Sequence, residues 1–463
     1  MRRRAAWAIV CALALPTAGL AQVDNDLDRI PDAANTQQSA QTLGSANRIF
    51  YLQDDLIATA RRDDLLVAFP PPPVAGWEER IFADARTQWA LADDLTLVYS
   101  GRLNLRAEDG LEFPSHENIR HDFREGYLAW KIDGETFLDF GRINLKSGVA
   151  LGFNPTDFFK TRAVVEPLSA DPSVLREDRL GTLMLYGQHL WEHAALSLAA
   201  APKLTDPSAV YLNTNLPSFN PVFDRTNAAT RLLAKGNIEL FDDFNPELLA
   251  YSEDGHWSFG TNLTRGFGQQ IVGYVEWAGG DRPDLADDAL HYGRDTGTIP
   301  LAAPLPLPVG PARAFQNDAA AGLSYTTESK ITFNLEYHYH QSGFSDADWR
   351  SWFGAGNLHI APLDAELWYI RGYAADQQEP VARQEAFLRA DWQDAFIQDL
   401  ELTAFVNADL RDFSSFAQMT ADYYLSREWT VGALASDSFG SRRTDYGSLP
   451  GSATILVRVS RYF

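Results

Sequence analysis

The sequence predicts an all-β chain: a transmembrane antiparallel up-and-down β-barrel of about 18 strands, within a range of roughly 16 to 20. Three observations predict it. Apolar residues recur at every second position in runs of about ten residues, the length that carries a tilted strand across a bilayer. Tight polar turns alternate with long irregular connections. The composition sets 12 Trp, 17 Tyr and 27 Phe against 3 Met, yet mean hydropathy is only −0.24, the balance expected of strands with one face in lipid and one in water. Beyond the N-terminal segment no stretch offers eighteen continuous apolar residues, which excludes a helical membrane protein.

In chain order, "MRRRAAWAIVCALALPTAGLA" places three arginines before a short apolar run that closes in small residues, the pattern of a secretory signal over 1–21 with cleavage after Ala21. Cys11, the single cysteine, lies inside it, so the exported chain is expected to hold no disulfide or cysteine metal site. A net charge of −23 argues against nucleic acid as a partner. Residues 22–50 read as a polar periplasmic lead-in. Asp24, Asp26, Asp28 and Asp32 have a spacing that resembles calcium-binding repeats, but Arg29 stands where such loops need glycine, so a solvated acidic segment is expected there. The barrel itself is expected over 51–463.

The alternation is plainest in three stretches. Leu95, Leu97, Tyr99, Leu103 and Leu105 oppose Thr96, Ser100, Arg102, Asn104 and Arg106; Ile331, Phe333, Leu335, Tyr337 and Tyr339 oppose Thr332, Asn334, Glu336, His338 and His340; Leu400, Leu402, Ala404 and Val406 oppose Glu401, Thr403 and Asn407. Strands are expected at 57–68, 246–254 and 349–360 as well. Tight turns fall at 92–94, 133–135, 241–245, 327–329 and 426–428, and long connections at 109–120, 146–179, 204–228, 281–318 and 440–452. With the turns on the periplasmic side, the long segments are extracellular loops.

Lumen-facing side chains decide what could pass. The alternation assigns Arg102, Arg106, Lys131, Arg231, Lys235, Arg389, Arg411 and Arg458 to the lumen, among carboxylates that include Glu108, Glu125, Glu239, Glu276, Glu336, Glu385, Asp391 and Asp409. Two readings stay open: cross-strand ion pairs that stabilise a polar interior, or a basic ladder guiding an anionic solute. Clustered arginines would favour the ladder and interleaved ones simple pairing. In loop 146–179, Phe158, Phe159, Val164, Val165 and Leu168 form an apolar anchor. The loop is expected either inside the barrel, as a constriction, or folded over the mouth. In the first case Lys160, Arg162, Arg176 and Arg179 meet the solute. Loop 281–318 passes from acidic "DRPDLADDALHYGRD" into "IPLAAPLPLPVGPAR" and reads as an extended, semi-rigid lid.

The last strand, "ILVRVSRYF", places Ile455, Val457, Val459 and Phe463 on one face and Leu456, Arg458, Ser460 and Tyr462 on the other. This strand, with the alternation along the chain, resembles the Gram-negative outer-membrane β-barrels. In that class a terminal aromatic such as Phe463 implies recognition by the barrel-assembly machinery and residence in outer-membrane lipid. Arg461 departs from the pattern, which has an apolar residue or tyrosine there. "DFGRINLKSGVALGFNPTDFF" is similar to a strand-then-loop segment of porin-like and alginate-export-like barrels.

The function expected is a porin-like channel that passes a small solute or polymer through a polar lumen without chemistry or cofactor. Two alternatives remain. Glu336, His338 and His340 on one face would suit a surface hydrolase or a metal cluster, although period-2 spacing produces such columns by itself and nothing resembles GxSxG or HExxH. A non-transporting barrel in envelope assembly or adhesion is the other. A TonB-dependent receptor is not expected, since the segment before the first strand is too short for a plug domain.

Overall fold

A computed structural model describes residues 48–67, 74–109, 118–164, 167, 169–208, 220–241, 244–299 and 313–463. The expected signal, the acidic repeat, Val165 and Leu168, and most of the proline-rich half of loop 281–318 lie outside them. Eighteen antiparallel strands form one closed sheet: β1 (Arg48–Arg61), β2 (Trp77–Ala92), β3 (Leu95–Glu108), β4 (Ile119–Lys131), β5 (Thr136–Ile143), β6 (Thr182–Trp191), β7 (Ala194–Ala201), β8 (Arg231–Ile238), β9 (Glu247–Glu253), β10 (His256–Phe267), β11 (Ile271–Arg282), β12 (Ala314–Thr326), β13 (Ile331–His340), β14 (Gln384–Trp392), β15 (Leu400–Asp409), β16 (Ser415–Tyr424), β17 (Trp429–Phe439) and β18 (Gly451–Tyr462). Each strand pairs with its chain neighbours, and β1 closes onto β18 with Tyr51 opposite Tyr462. Closure matters because an open edge would leave backbone N–H and C=O groups without partners in lipid.

The predicted alternation is realised rung by rung. On β13, Phe333, Leu335 and Tyr337 are 39%, 55% and 43% exposed on the outer wall, whereas Asn334, Glu336 and His338 point inward and are at most 5% exposed. On β18, Ile455, Val457 and Val459 face out while Leu456 and Ser460 are buried. Arg461, the outward departure in this strand, lies over the rings of Trp429 and Phe463 at 5.2 and 4.5 Å and reaches Glu428 at 3.6 Å. A long side chain at the rim thus keeps its charge near water and its stem on apolar surface.

Tight turns gather at one end of the barrel and long connections at the other, with two exceptions: Asp254–Gly255 between β9 and β10, and 410–414 between β15 and β16, are short at the loop end. β1 starts at Arg48, inside the expected lead-in, and leaves the sheet at Arg61, so the strand expected at 57–68 is only partly one.

The larger correction concerns 341–383. The expected strand at 349–360 is instead helix α4 (Asp346–Gly356), followed by α5 (Ala361–Gln377), with α1 (Pro172–Glu177), α2 (Phe223–Thr226) and α3 (Leu285–Asp295) in other loops. The acidic half of 281–318, expected to be extended, is therefore helical. Physical cues for α4 are present: Ser345 and Asp348 form a capping box, and Trp349, Trp352 and Phe353 fall at helical spacing. Helices α3 to α5 bury Leu285, Ala289, Trp349, Trp352, Leu363, Leu367 and Ile370 together with Leu66 and Val67. The indole N–H groups of Trp352 and Trp368 donate to Leu367 O and Val67 O, each at 3.1 Å. The result is a helical cap with its own core at the loop end.

Candidate functional site

The connection between β5 and β6 turns into the lumen. Its first half is held by two inward carboxylates on the far wall. Glu276 of β11 accepts from the backbone N–H groups of Val149 (2.8 Å), Ala150 (3.1 Å) and Thr156 (2.7 Å), and the Thr156 hydroxyl lies 2.9 Å from both Glu276 and Asn262 of β10. Glu336 of β13 accepts from Leu151 N–H (2.6 Å), Gly152 N–H (2.9 Å) and the Tyr274 hydroxyl (2.6 Å). Orphan loop N–H groups in a confined interior need such acceptors, and charged ones are strong. Two glycines permit the approach. A Cβ on Gly148, whose φ is +93°, would lie 2.7 Å from the Glu276 carboxylate, and one on Gly152 would lie 2.6 Å from His338.

Apolar contacts hold the same segment. Phe158 stacks on Tyr251 of β9 at 4.5 Å, and Phe159 is buried among Ile143, Met184, Leu233 and Leu249. The second half crosses to other strands. Asp171 caps α1 through Ser173 N–H and pairs with Arg389 of β14, and Ala170 N–H donates to Gln418 of β16 at 3.2 Å. Asp178 returns to Arg102 of β3 (2.7 Å) and Arg124 of β4 (3.2 Å). A loop bonded to inward side chains from β3 round to β16 lies within the barrel, not over its mouth.

The wall charges are interleaved. Arg102 holds Asp84 at 2.6 Å as well as Asp178, and Arg106 holds Glu108 at 3.2 Å. Arg231 pairs with Glu253 at 3.2 Å, Lys235 with Glu247 at 3.4 Å, Arg389 with Asp391 at 2.8 Å and Arg458 with Asp55 at 3.1 Å. Arg411 lies just past β15, pairing with Asp409 at 3.3 Å and with Asp412, rather than on the strand. Lys131 and Glu239 are exposed near the tight turns. By the criterion of distribution, this wall is one of ion pairs between neighbouring strands and within a strand, and among the described residues the strands bring no run of unpaired arginines together.

The loop cations divide differently. Arg179 pairs with Asp157 at 2.5 Å and reaches Gln378 at 2.9 Å. Arg162 donates to the Tyr292 hydroxyl and to Asp224 O. Lys160 donates to Asn154 O at 2.8 Å with its ammonium 4.5 Å from the Phe153 ring, and Arg176 donates to Ser147 O at 3.1 Å. Among the described residues neither Lys160 nor Arg176 forms an ion pair. Burial pushes the Lys160 ammonium below the ordinary lysine range, with Glu379 and Asp157 partly offsetting it.

Both line an open cavity of about 770 Å³ between the loop, the C-terminal half of α5, and the inner wall of β14 to β18, β1 and β2. Glu385, Asn407 and Gln418 line it from the wall, with Phe153, Phe416, Leu434 and Leu456 as apolar surface. Helix α5 is fastened over it: Arg371 binds Asp445 and Ser448 Oγ (2.6 Å), Asp376 binds Arg225 (2.6 Å), and Arg162 N–H donates to Asp376 O (2.7 Å).

Glu336, His338 and His340 share a face as expected but enter two networks. His338 Nε2 meets Glu336 at 2.7 Å, whereas His340 lies 3.0 Å from Asp318, 3.1 Å from Ser342 Oγ and 3.6 Å from Glu379. Asp318, His340 and Ser342 are in the order of a nucleophile triad, yet all are buried, Asp318 also holds Arg282, and none of the three lines the cavity. No group of three or more metal-ligating residues occurs among the described residues. Strand alternation identifies Glu276 only as a lumen carboxylate and not as an anchor, since it marks which way a side chain points but not what reaches it.

No protein-family model matches the chain, and no curated protein matches it. Among solved structures it is similar to Pseudomonas aeruginosa OccK8 (OprE), with a TM-score of 0.51 at 11% identity over 90% of this chain and 98% of that one. It is also similar to Pseudomonas aeruginosa OccK11 (OpdR), TM-score 0.48 at 10% identity over 90% and 96%, and to a triple mutant of the Rhodopseudomonas blastica porin, TM-score 0.40 at 10% identity over 90% and 100%. At these identities the likeness is one of fold alone: a closed antiparallel β-barrel, of 18 strands in this chain.

Proposed function

We propose that the protein is an outer-membrane channel in which a small solute passes between the inserted β5–β6 loop and the wall of β14 to β18, meeting Lys160 and Arg176 on the loop side. One observation carries the reading: the first half of the loop is pinned to Glu276 and Glu336 on one side of the lumen, leaving on the other a cavity whose mostly apolar lining carries Glu385, Asn407 and Gln418. A loop held by buried, charge-assisted bonds is a fixed constriction, and a fixed constriction selects by size and charge. No chemical step is required of it.

Purified protein in planar bilayers should give discrete conductance steps, and liposomes containing it should swell in small neutral or charged solutes. Replacing Lys160 and Arg176 together by glutamine should move the reversal potential toward cation selectivity. A correctly folded barrel that is electrically silent and impermeable in swelling assays would overturn the channel reading and favour a role in envelope assembly.

A further inference from the structure

The outer wall carries a feature that transport does not use. Between β10 and β14 it is indented by a groove of about 650 Å³ with an almost wholly apolar lining. The pairing register places Leu263, Val275, Ala321, Tyr337 and Ala386 on one rung, and Arg265, Gly273, Leu323 and Leu335 on the next toward the tight turns. The third rung, Phe267, Ile271, Tyr325 and Phe333, is largely aromatic and adjoins the turns. Glycine and alanine at 273 and 321 lower the wall between the flanking Leu263, Phe267, Leu323 and Leu335 side chains.

Arg265 is exposed on this lipid-facing side, and among the described residues it forms no ion pair. Its guanidinium lies 5.6 Å from the Phe241 ring and 5.7 Å from the Phe267 ring, so two aromatics orient it beside the groove. An unpaired cation on a membrane-facing wall is stable only at headgroup level, where an anion can approach it. Guanidinium binds phosphate through two parallel N–H donors, and the adjoining trough has the apolar character of an acyl chain's partner.

We propose that this face binds one glycerophospholipid, its phosphate on Arg265 and one acyl chain in the trough over Gly273 and Ala321. The lipid belongs to the leaflet at the tight-turn end. Complementarity along the groove, cationic where the Arg265 guanidinium leans toward the aromatic rung and apolar beyond it, distinguishes this occupant from a second copy of the chain, which would need to bring its own anion to the same point.

The test is native mass spectrometry of the full-length protein extracted in mild detergent, then titration of delipidated protein with phosphatidylglycerol and phosphatidylethanolamine. Wild type should retain one phospholipid per chain. Arg265→Gln should weaken retention by about tenfold or more, the loss of a charge-assisted bidentate contact. Arg265→Lys should lose less, and Ala321→Phe, which fills the trough, should displace the lipid while leaving Arg265 in place. Val457→Phe, outward on β18, serves as control and should bind as wild type; heat-modifiable gel mobility checks that each barrel is folded. Equal lipid retention by wild type, Arg265→Gln and Ala321→Phe would overturn the proposal. So would displacement of the bound species by inorganic phosphate alone, or a wild-type dimer that Ala321→Phe converts to monomer.

Discussion

Glu276→Ala should release the inserted loop from the wall while leaving the barrel closed. The carboxylate accepts three backbone N–H groups, from Val149, Ala150 and Thr156, at 2.7 to 3.1 Å, and it is fully buried. A hydrogen bond to a charged group contributes about 1.5 to 3 kcal/mol, and all three are lost together. Taking the low end for each of three bonds, the attached state loses about 4 to 5 kcal/mol, which is roughly a thousandfold in the opening equilibrium. Glu336 still holds Leu151 and Gly152, so the loop should loosen at 148–150 and 154–156, on either side of that retained attachment, and not along its whole length. Amide hydrogen exchange reports this directly: protection at Val149, Ala150 and Thr156 should fall by two to three orders of magnitude, roughly, while the strand amides of β10 to β13 keep theirs. If the channel reading holds, the same variant should show larger and noisier conductance steps. Unchanged protection at those three amides, in a barrel shown to be folded, would refute the assignment of Glu276 as the anchor.

Two further predictions follow from the same geometry. Gly148→Val combines a positive φ of +93° with a Cβ 2.7 Å from the Glu276 carboxylate; it should reproduce much of the Glu276→Ala exchange pattern, and wild-type protection would show that the backbone there is not constrained as described. Asp288 of α3 is partly buried in the cap, and the desolvation raises its carboxyl to about 6, although the Tyr373 hydroxyl donates to it at 2.7 Å. A carboxyl raised on folding contributes its full stability below the unfolded value near 4 and loses it as pH climbs through 6. The α3 and α5 amides should therefore lose protection between about pH 4 and 6, by on the order of 2 kcal/mol, and Asp288→Asn should flatten that slope, leaving the smaller share due to the raised Asp284 and Glu366 carboxyls; a variant with the wild-type pH profile would exclude Asp288 as its source.

Most of the wall was legible in the chain because a strand's two faces are dictated locally: a period of two puts Leu335 in lipid and Glu336 in the lumen whatever the neighbours are. The number of strands and the tight turns at one end follow from the same local rules. The expected strand at 349–360 failed for a physical reason. Trp349, Trp352 and Phe353 are apolar enough for either element, and the Ser345–Asp348 capping box together with packing against α5, α3 and Val67 selects the helix.

The charged interior shows the division again. Sequence alone placed Arg102, Arg231, Arg389 and Arg458 inward, because orientation is a property of each strand. Whether they stood free or paired depended on the cross-strand register and on Asp171 and Asp178, which arrive from a loop far along the chain. The anchoring of that loop, the roofing of the cavity by α5 and the near-isolation of Lys160 and Arg176 likewise join residues distant in sequence. Periodicity therefore determined the barrel and the direction of its side chains; only closure of the sheet decided which of them meet, since contact between distant segments has no local signature.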